Sequence, residues 1–214
     1  PTKEELRLFP DETKASAPDQ GIIDSLVTSI GAKWDDELKL APSDPAAFGA
    51  AHREALALVL GATVPAANDL RCERRSMEER DGFVQENWIL GRVSGDDAIP
   101  ALFFRGTGTE PQDSVLLASS QGKQSFIDPT TGEPGMLIQR LIDAGKAVLC
   151  IDPFLTGEEL GTIKRTERLR IGNFMDTFQP TDMGYRVQDI ITAGAFLRAR
   201  RDLSENIAVA GLDD

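Results

Sequence analysis

The sequence predicts an α/β fold, a mixed and mostly parallel sheet covered by helices on both faces in a three-layer αβα arrangement. Three observations carry this. Residues 114–119, 146–151 and 207–211 are short, continuous apolar runs, the composition of strands buried on both faces. Helical stripes lie between them, one of Leu137, Ile138, Leu141 and Ile142 and a longer one over 181–200, so strand and helix alternate as right-handed crossovers require. Ahead of these, residues 82–90 and 99–104 read as strands joined by the polar turn Val93-Ser94-Gly95-Asp96-Asp97, a hairpin that adds antiparallel strands at one edge.

Composition bounds the function. The 214 residues allow one large domain, or one domain with an N-terminal appendage, and 41% apolar residues suffice for a core. With 23 basic against 35 acidic residues the net charge is −12, which argues against nucleic acid as a partner, because phosphate binding needs lysine and arginine. No apolar run approaches the roughly 18–20 residues that cross a bilayer. Two cysteines, Cys72 and Cys150, cannot build a disulfide framework or a four-ligand zinc site, and Cys150 reads as an inert thiol inside its apolar run. No cofactor motif or metal cluster is visible. The chain opens at Pro1 without methionine, so the compartment is left open, leaning to secreted or periplasmic.

Taken in order, residues 1–45 are punctuated by Pro10, Pro18, Gly21, Gly31, Pro42 and Pro45, which should interrupt any long element. Ile22, Ile23, Leu26, Val27 and Ile30 predict a short amphipathic helix there. Ser43-Asp44-Pro45 is a helix start. Phe48, Ala51, Ala55, Leu56, Val59 and Leu60 should form one face of that helix, and Gly61 should end it. His52, the only histidine, lies on this helix and reads as a half-exposed surface residue. Arg105-Gly106-Thr107-Gly108-Thr109 lacks the lysine and following helix of a phosphate loop, and no Gly-x-Gly-x-x-Gly follows a strand. The helix over 181–200 should turn Val187, Ile190, Ile191, Gly194 and Leu197 inward, with Arg186 and Asp189 forming a local pair.

In such sheets the reactive groups gather beyond the carboxyl ends of the strands. Three loops qualify: Ser119-Ser120-Gln121-Gly122-Lys123, Asp152-Pro153-Phe154 and Gly211-Leu212-Asp213-Asp214. The last fits four of the five positions of a nucleophile elbow, a strained strand-to-helix turn that projects one side chain, with Asp213 in the reactive slot.

At these residues the sequence resembles the N-terminal half of an α/β-hydrolase of the acetylxylan esterase and carbohydrate esterase branch. The resemblance rests on the ordered stretches 48–56, 99–102, 115–123, 132–135, 144–148, 152–158, 186–190 and 195–198. It implies an N-terminal helical extension with lead-in helix over 1–70, then, over 71–214, the first half of a hydrolase domain ending at the elbow. It also implies ester hydrolysis on an acylated or methyl-esterified carbohydrate, without a cofactor. Asp213 stands where most such esterases carry serine; carboxylate nucleophiles occur on the fold. The backbone oxyanion hole would come from Asp214 and from Gln121 and Gly122.

The acid and histidine should follow the elbow, so the expectation is that a second polypeptide segment completes the domain and covers the strand at 207–211, an aggregation template if left bare. Lys123 could reach an anionic substrate or stand in solvent. The basic run 164–170, with Lys164, Arg168 and Arg170, could attract an acidic sugar or contact the completing segment. Asn173, Phe174 and Phe178 could line a sugar-facing wall or simply pack. The competing reading is a catalytically inactive binding module that retains the fold.

Overall fold

The computed structural model describes residues 20–40, 43–80, 82–108, 110–160 and 179–212. The chain divides into two units, Pro1–Glu54 and Ala55–Asp214.

In the first unit, α1 (Gln20–Leu40) is 21 residues long, more than the punctuation suggested. Gly21 stands in its first turn and Pro42 lies past its end, while Gly31 is carried within it at a cost of about 1 kcal/mol relative to alanine. Its apolar stripe, from Ile22 through Leu26, Ile30, Trp34 and Leu38, is exposed. The helix α2 (Pro45–Leu60) begins as its sequence dictates, the Asp44 carboxylate accepting the Ala47 N–H at 2.9 Å. His52 is partly shielded, its ring 4.3 Å from Phe48 and 6.0 Å from Trp34, with Nε2 3.8 Å from Glu37.

The second unit opens on the end of α2. Gly61 takes φ +64°, and the Ala62 N–H reaches back to the Ala57 carbonyl at 3.0 Å, closing the helix in the left-handed cap that glycine permits. The expected apolar face does not form a buried stripe, since Leu56 and Val59 are exposed.

Six strands follow: β1 (Leu70–Arg80), β2 (Phe83–Arg92), β3 (Ile99–Gly106), β4 (Gln112–Ser119), β5 (Ala147–Ile151) and β6 (Leu203–Leu212). They form one sheet in the order β1-β2-β3-β5-β4-β6. The pairs β1–β2, β2–β3 and β3–β5 are antiparallel, whereas β5–β4 and β4–β6 are parallel. Hence β2, β4, β5 and β6 run one way and β1 and β3 the other. The sequence reading did not name β1: its residues are mostly charged and most of them face water, the composition of a protected edge strand rather than a core strand.

The helix α3 (Met136–Asp143) covers one face through Ile138 and Ile142, which meet Phe83, Leu102, Phe104, Leu117, Val148 and Cys150. The helix α4 (Asp182–Ala199) covers the other through Ala193, Phe196 and Leu197, against Leu90, Phe103, Leu116, Leu149 and Ile151. Successive β3 residues therefore serve opposite layers, as the period of two demands. Burial pushes the Cys150 thiol far above its usual range, so it is an inert core residue.

The buried face of α4 is rotated from the expected one. Gly184, Gln188, Asp189, Thr192, Ala193, Phe196 and Leu197 are buried, while Val187, Ile190, Ile191 and Gly194 are only half-buried. The reason is polar: Gln188 is drawn in by the Thr63 backbone, accepting its N–H at 2.7 Å and donating to its carbonyl at 2.9 Å.

At the amino edge of the parallel strands, Asp113 ties three elements together. It accepts from Lys146 Nζ at 2.7 Å, Ser204 Oγ at 2.6 Å and Asn206 Nδ2 at 3.1 Å. These bonds, that from Lys146 first, hold its carboxyl well below the usual carboxylate range, and the Arg200 guanidinium does the same for Asp202. A lowered folded value means stability that is present above the unfolded value, about 3.9, and lost as pH falls toward the folded one. Asp113→Asn should therefore lower the melting temperature at neutral pH and flatten its fall between about pH 5 and pH 3. A variant whose melting curve tracks the parent's in parallel over that interval would rule out this linkage.

Candidate active site at the carboxyl edge of the sheet

Parallel pairing decides which loops meet. Ala118 lies opposite Ile151 and Ser119 opposite Leu212, so the segments leaving β4, β5 and β6 emerge side by side. A hollow of about 270 Å³ opens there, lined by Ser119, Ser120, Pro153, Arg186, Gly211 and Leu212 among others. On the far side of Leu212 a second hollow of about 280 Å³ reaches Ser125, Phe126 and Met136.

The loop after β4 is a tight turn. Gly122 adopts φ +79°, donates its N–H to the Ser119 carbonyl at 3.0 Å, and accepts from Ser125 Oγ at 2.8 Å. The Gln121 N–H donates to Ser119 Oγ at 3.1 Å. The Gln121 and Gly122 N–H groups, read as oxyanion donors, thus both bond within their own turn. A Cβ on Gly122 would lie 2.5 Å from Asp152 Oδ1 and 2.7 Å from Gly157 Cα, so glycine is required for space as well as conformation.

That crowding marks the principal polar feature of the site. Asp152 is 0% exposed and Lys123 3%. Asp152 Oδ1 accepts the Lys123 backbone N–H at 2.6 Å, and Oδ2 accepts Lys123 Nζ at 2.6 Å and the Glu158 N–H at 2.9 Å. Lys123 Nζ also donates to Glu158 Oε1 at 2.5 Å. Lys123, expected to face an anionic substrate or solvent, is instead buried between two carboxylates. The result is a clamp joining the loop after β4 to the loop after β5. Sequence reasoning passed over it because the partners are 29 residues apart; the only trace was the pair of glycines, Gly122 and Gly157, facing an aspartate at a strand end.

The loop after β5 is held from the helix side too. The Phe154 N–H donates to Asp189 Oδ2 at 2.7 Å, and Arg186 Nε donates to the Phe154 carbonyl at 3.0 Å. Arg186 and Asp189, read as a local helical pair, both turn to this backbone. Of the other residues singled out from the sequence, Asp213, Asp214, Lys164, Arg168, Arg170, Asn173, Phe174 and Phe178 lie outside the described residues. His52 belongs to the first unit. Among the described residues no helix is long and apolar enough to cross a membrane, and no group of three or more His, Cys, Asp or Glu side chains is placed to hold a metal ion.

The sheet order and the two helical layers make an α/β-hydrolase-type fold. One similar solved structure is a Bacteroides fragilis NCTC 9343 protein assigned as an acetyl xylan esterase, at 14% identity and TM-score 0.60, over 78% of this chain and 46% of that one. Acetyl xylan esterase 1 from Thermoanaerobacterium sp. JW/SL YS485 is similar at 12% identity and TM-score 0.51, over 74% and 49%. Glucuronoyl esterase from Solibacter usitatus is similar at 13% identity and TM-score 0.51, over 78% and 53%. The chain spans about half the length of these structures. No family model and no curated protein matches it.

Proposed function

We propose that the chain supplies the nucleophile-bearing half of an ester hydrolase acting on acylated or methyl-esterified carbohydrate. In this reading residues 1–70 are an N-terminal extension with its lead-in helix, and 71–214 are the first half of the catalytic domain. The observation that carries it is the register of Leu212 against Ser119, which brings the end of β6 beside the Ser119–Gly122 turn at the edge where α/β sheets do chemistry. Asp213, next in sequence, takes the nucleophile role. Its carboxylate oxygen attacks the acyl carbon, the alcohol leaves with a proton (the sugar hydroxyl from an acylated sugar, methanol from a methyl ester), and water opens the resulting anhydride to free acid and carboxylate. Backbone N–H groups of Asp214 and of Gln121 or Gly122 serve the oxyanion once the bond that Gln121 or Gly122 makes to Ser119 opens.

A further segment or chain brings the acid and histidine and lies against β6. Exposed apolar groups at that edge support it, Val209 at 59% and Leu212 at 43%. Lys164, Arg168 and Arg170 remain candidates for drawing in a charged sugar.

The test is aryl-acetate turnover by the native assembly. Asp213→Ala should reduce it by about 10³-fold or more, in kcat rather than KM. One observation favours the alternative of a non-catalytic binding module: the Gln121 and Gly122 N–H groups are both already bonded to Ser119. Turnover absent from parent and variant alike would decide for it.

A further inference from the structure

The carboxyl edge carries a larger cavity, about 530 Å³, displaced from the Ser119–Leu212 corner. It lies where β2 ends and β3 begins, against Phe154 after β5 and the first turns of α4. That volume falls in the range of small-molecule sites, roughly 300–1,000 Å³.

Its wall is fixed before any ligand arrives. Arg92 closes on Asp97 in a fork, Nε to Oδ2 at 2.5 Å and Nη2 to Oδ1 at 2.8 Å, while Nη1 reaches Thr63 Oγ1 at 3.4 Å. The backbone of Phe154 is held on both sides by Asp189 and Arg186. Its ring rests against Tyr185, centroids 4.6 Å apart, so the cavity has a firm aromatic surface. Gln179 and Asp96 complete the rim.

We propose that this cavity is a binding subsite for a neutral pyranose unit of a carbohydrate chain. The lining residues include side chains with donors, Arg92, Gln179 and Tyr185, and side chains with acceptors, Asp97 and Asp189, of which Arg92 and Asp97 are bonded to each other. A sugar hydroxyl both gives and takes, so it suits such a wall. Three carboxylates, Asp96, Asp97 and Asp189, stand against one guanidinium, and Arg92 is already forked to Asp97, so an anion is turned away. The aromatic pair receives the apolar C–H face of a ring. The inference rests on the carbohydrate reading for its choice of ligand and extends it from the reacting corner to a second sugar along the same edge.

Binding is measured by titration calorimetry on the full chain with xylotriose, which carries no ester, and with trigalacturonate and spermidine as anionic and cationic probes. Xylotriose should bind saturably. Gln179→Ala, an exposed change that leaves the fold intact, and Tyr185→Ala should each weaken it by about fivefold or more. No xylotriose binding by the parent, binding unchanged in both variants, or preference for either ionic probe would overturn the subsite. The ester reading fails separately: Asp213→Ala abolishes aryl-acetate turnover and leaves xylotriose affinity intact if both proposals hold. Xylotriose binding without turnover in the native assembly would sink only the catalytic one.

Discussion

Replacing Asp152 by alanine is expected to cost about 3–5 kcal/mol, the range for breaking a buried ion pair from one side. For a chain of this length that lowers the melting temperature by roughly 6–20 °C. The size follows from what the carboxylate does. It accepts three hydrogen bonds at 2.6–2.9 Å from Lys123 and Glu158, and it is fully buried. Without it the Lys123 ammonium stays in the interior with only Glu158, whose side chain is 62% exposed, to balance it. The space between Gly122 and Gly157, now filled by the carboxylate, becomes a void. Lys123→Met combined with Asp152→Leu removes both charges and should recover part of the loss, because an apolar pair often matches a buried ion pair, while the Lys123 and Glu158 backbone N–H groups still lose their acceptor. Urea unfolding of the parent and the two variants gives the comparison. A cost below about 1 kcal/mol for Asp152→Ala would show that the clamp does not hold the two loops.

The parts of this architecture that were legible are those written locally. Residues 115–118 of β4 and all of β5 are unbroken apolar runs, α2 is capped by Asp44 and closed by Gly61, and Thr181 accepts the Gly184 N–H at 3.1 Å at the start of α4. Elements whose stability comes from elsewhere were not. β1 carries little apolar signal because its place is given by pairing with β2, from Leu70 opposite Arg92 to Arg80 opposite Phe83. The face of α4 was misjudged because a glutamine is satisfied by backbone 125 residues away, so a polar side chain is buried and isoleucines are left half out. Lys123, Arg186 and Asp189 were read by charge and local spacing. Their partners are set by strand register and loop placement, which no window of sequence displays. The alternation of strand and helix as far as β6 was legible; the clamp joining the loops after β4 and β5 was not.

Arg200→Met is the second large effect expected, again about 3–5 kcal/mol, and its pH dependence separates it from a packing defect. Glu86 sits in β2 at 2% exposure, an unusual place for a carboxylate. It is tolerated because Oε2 accepts from Arg200 Nη1 at 2.7 Å and from the Trp88 indole at 2.8 Å, while Arg74 approaches Oε1 at 3.5 Å. Arg200 is itself sandwiched, its guanidinium 4.1 Å from the Phe103 ring centre and bonded to Asp202 at 2.6 and 2.9 Å. Methionine keeps the aliphatic packing but removes the charge that makes Glu86 affordable. Asp202 loses its partner as well. The Arg200 guanidinium holds that carboxyl below its ordinary value, which is stability present above the unfolded value of about 3.9 and lost as pH falls. The deficit of Arg200→Met relative to the parent should therefore be larger at about pH 7 than at about pH 3. Glu86→Gln in the same background should recover part of the lost stability, since the amide needs no counter-charge. Denaturant titrations at the two pH values test this directly. A deficit that does not change with pH would mean that Arg200 acts through its stacking on Phe103 and not through its charge.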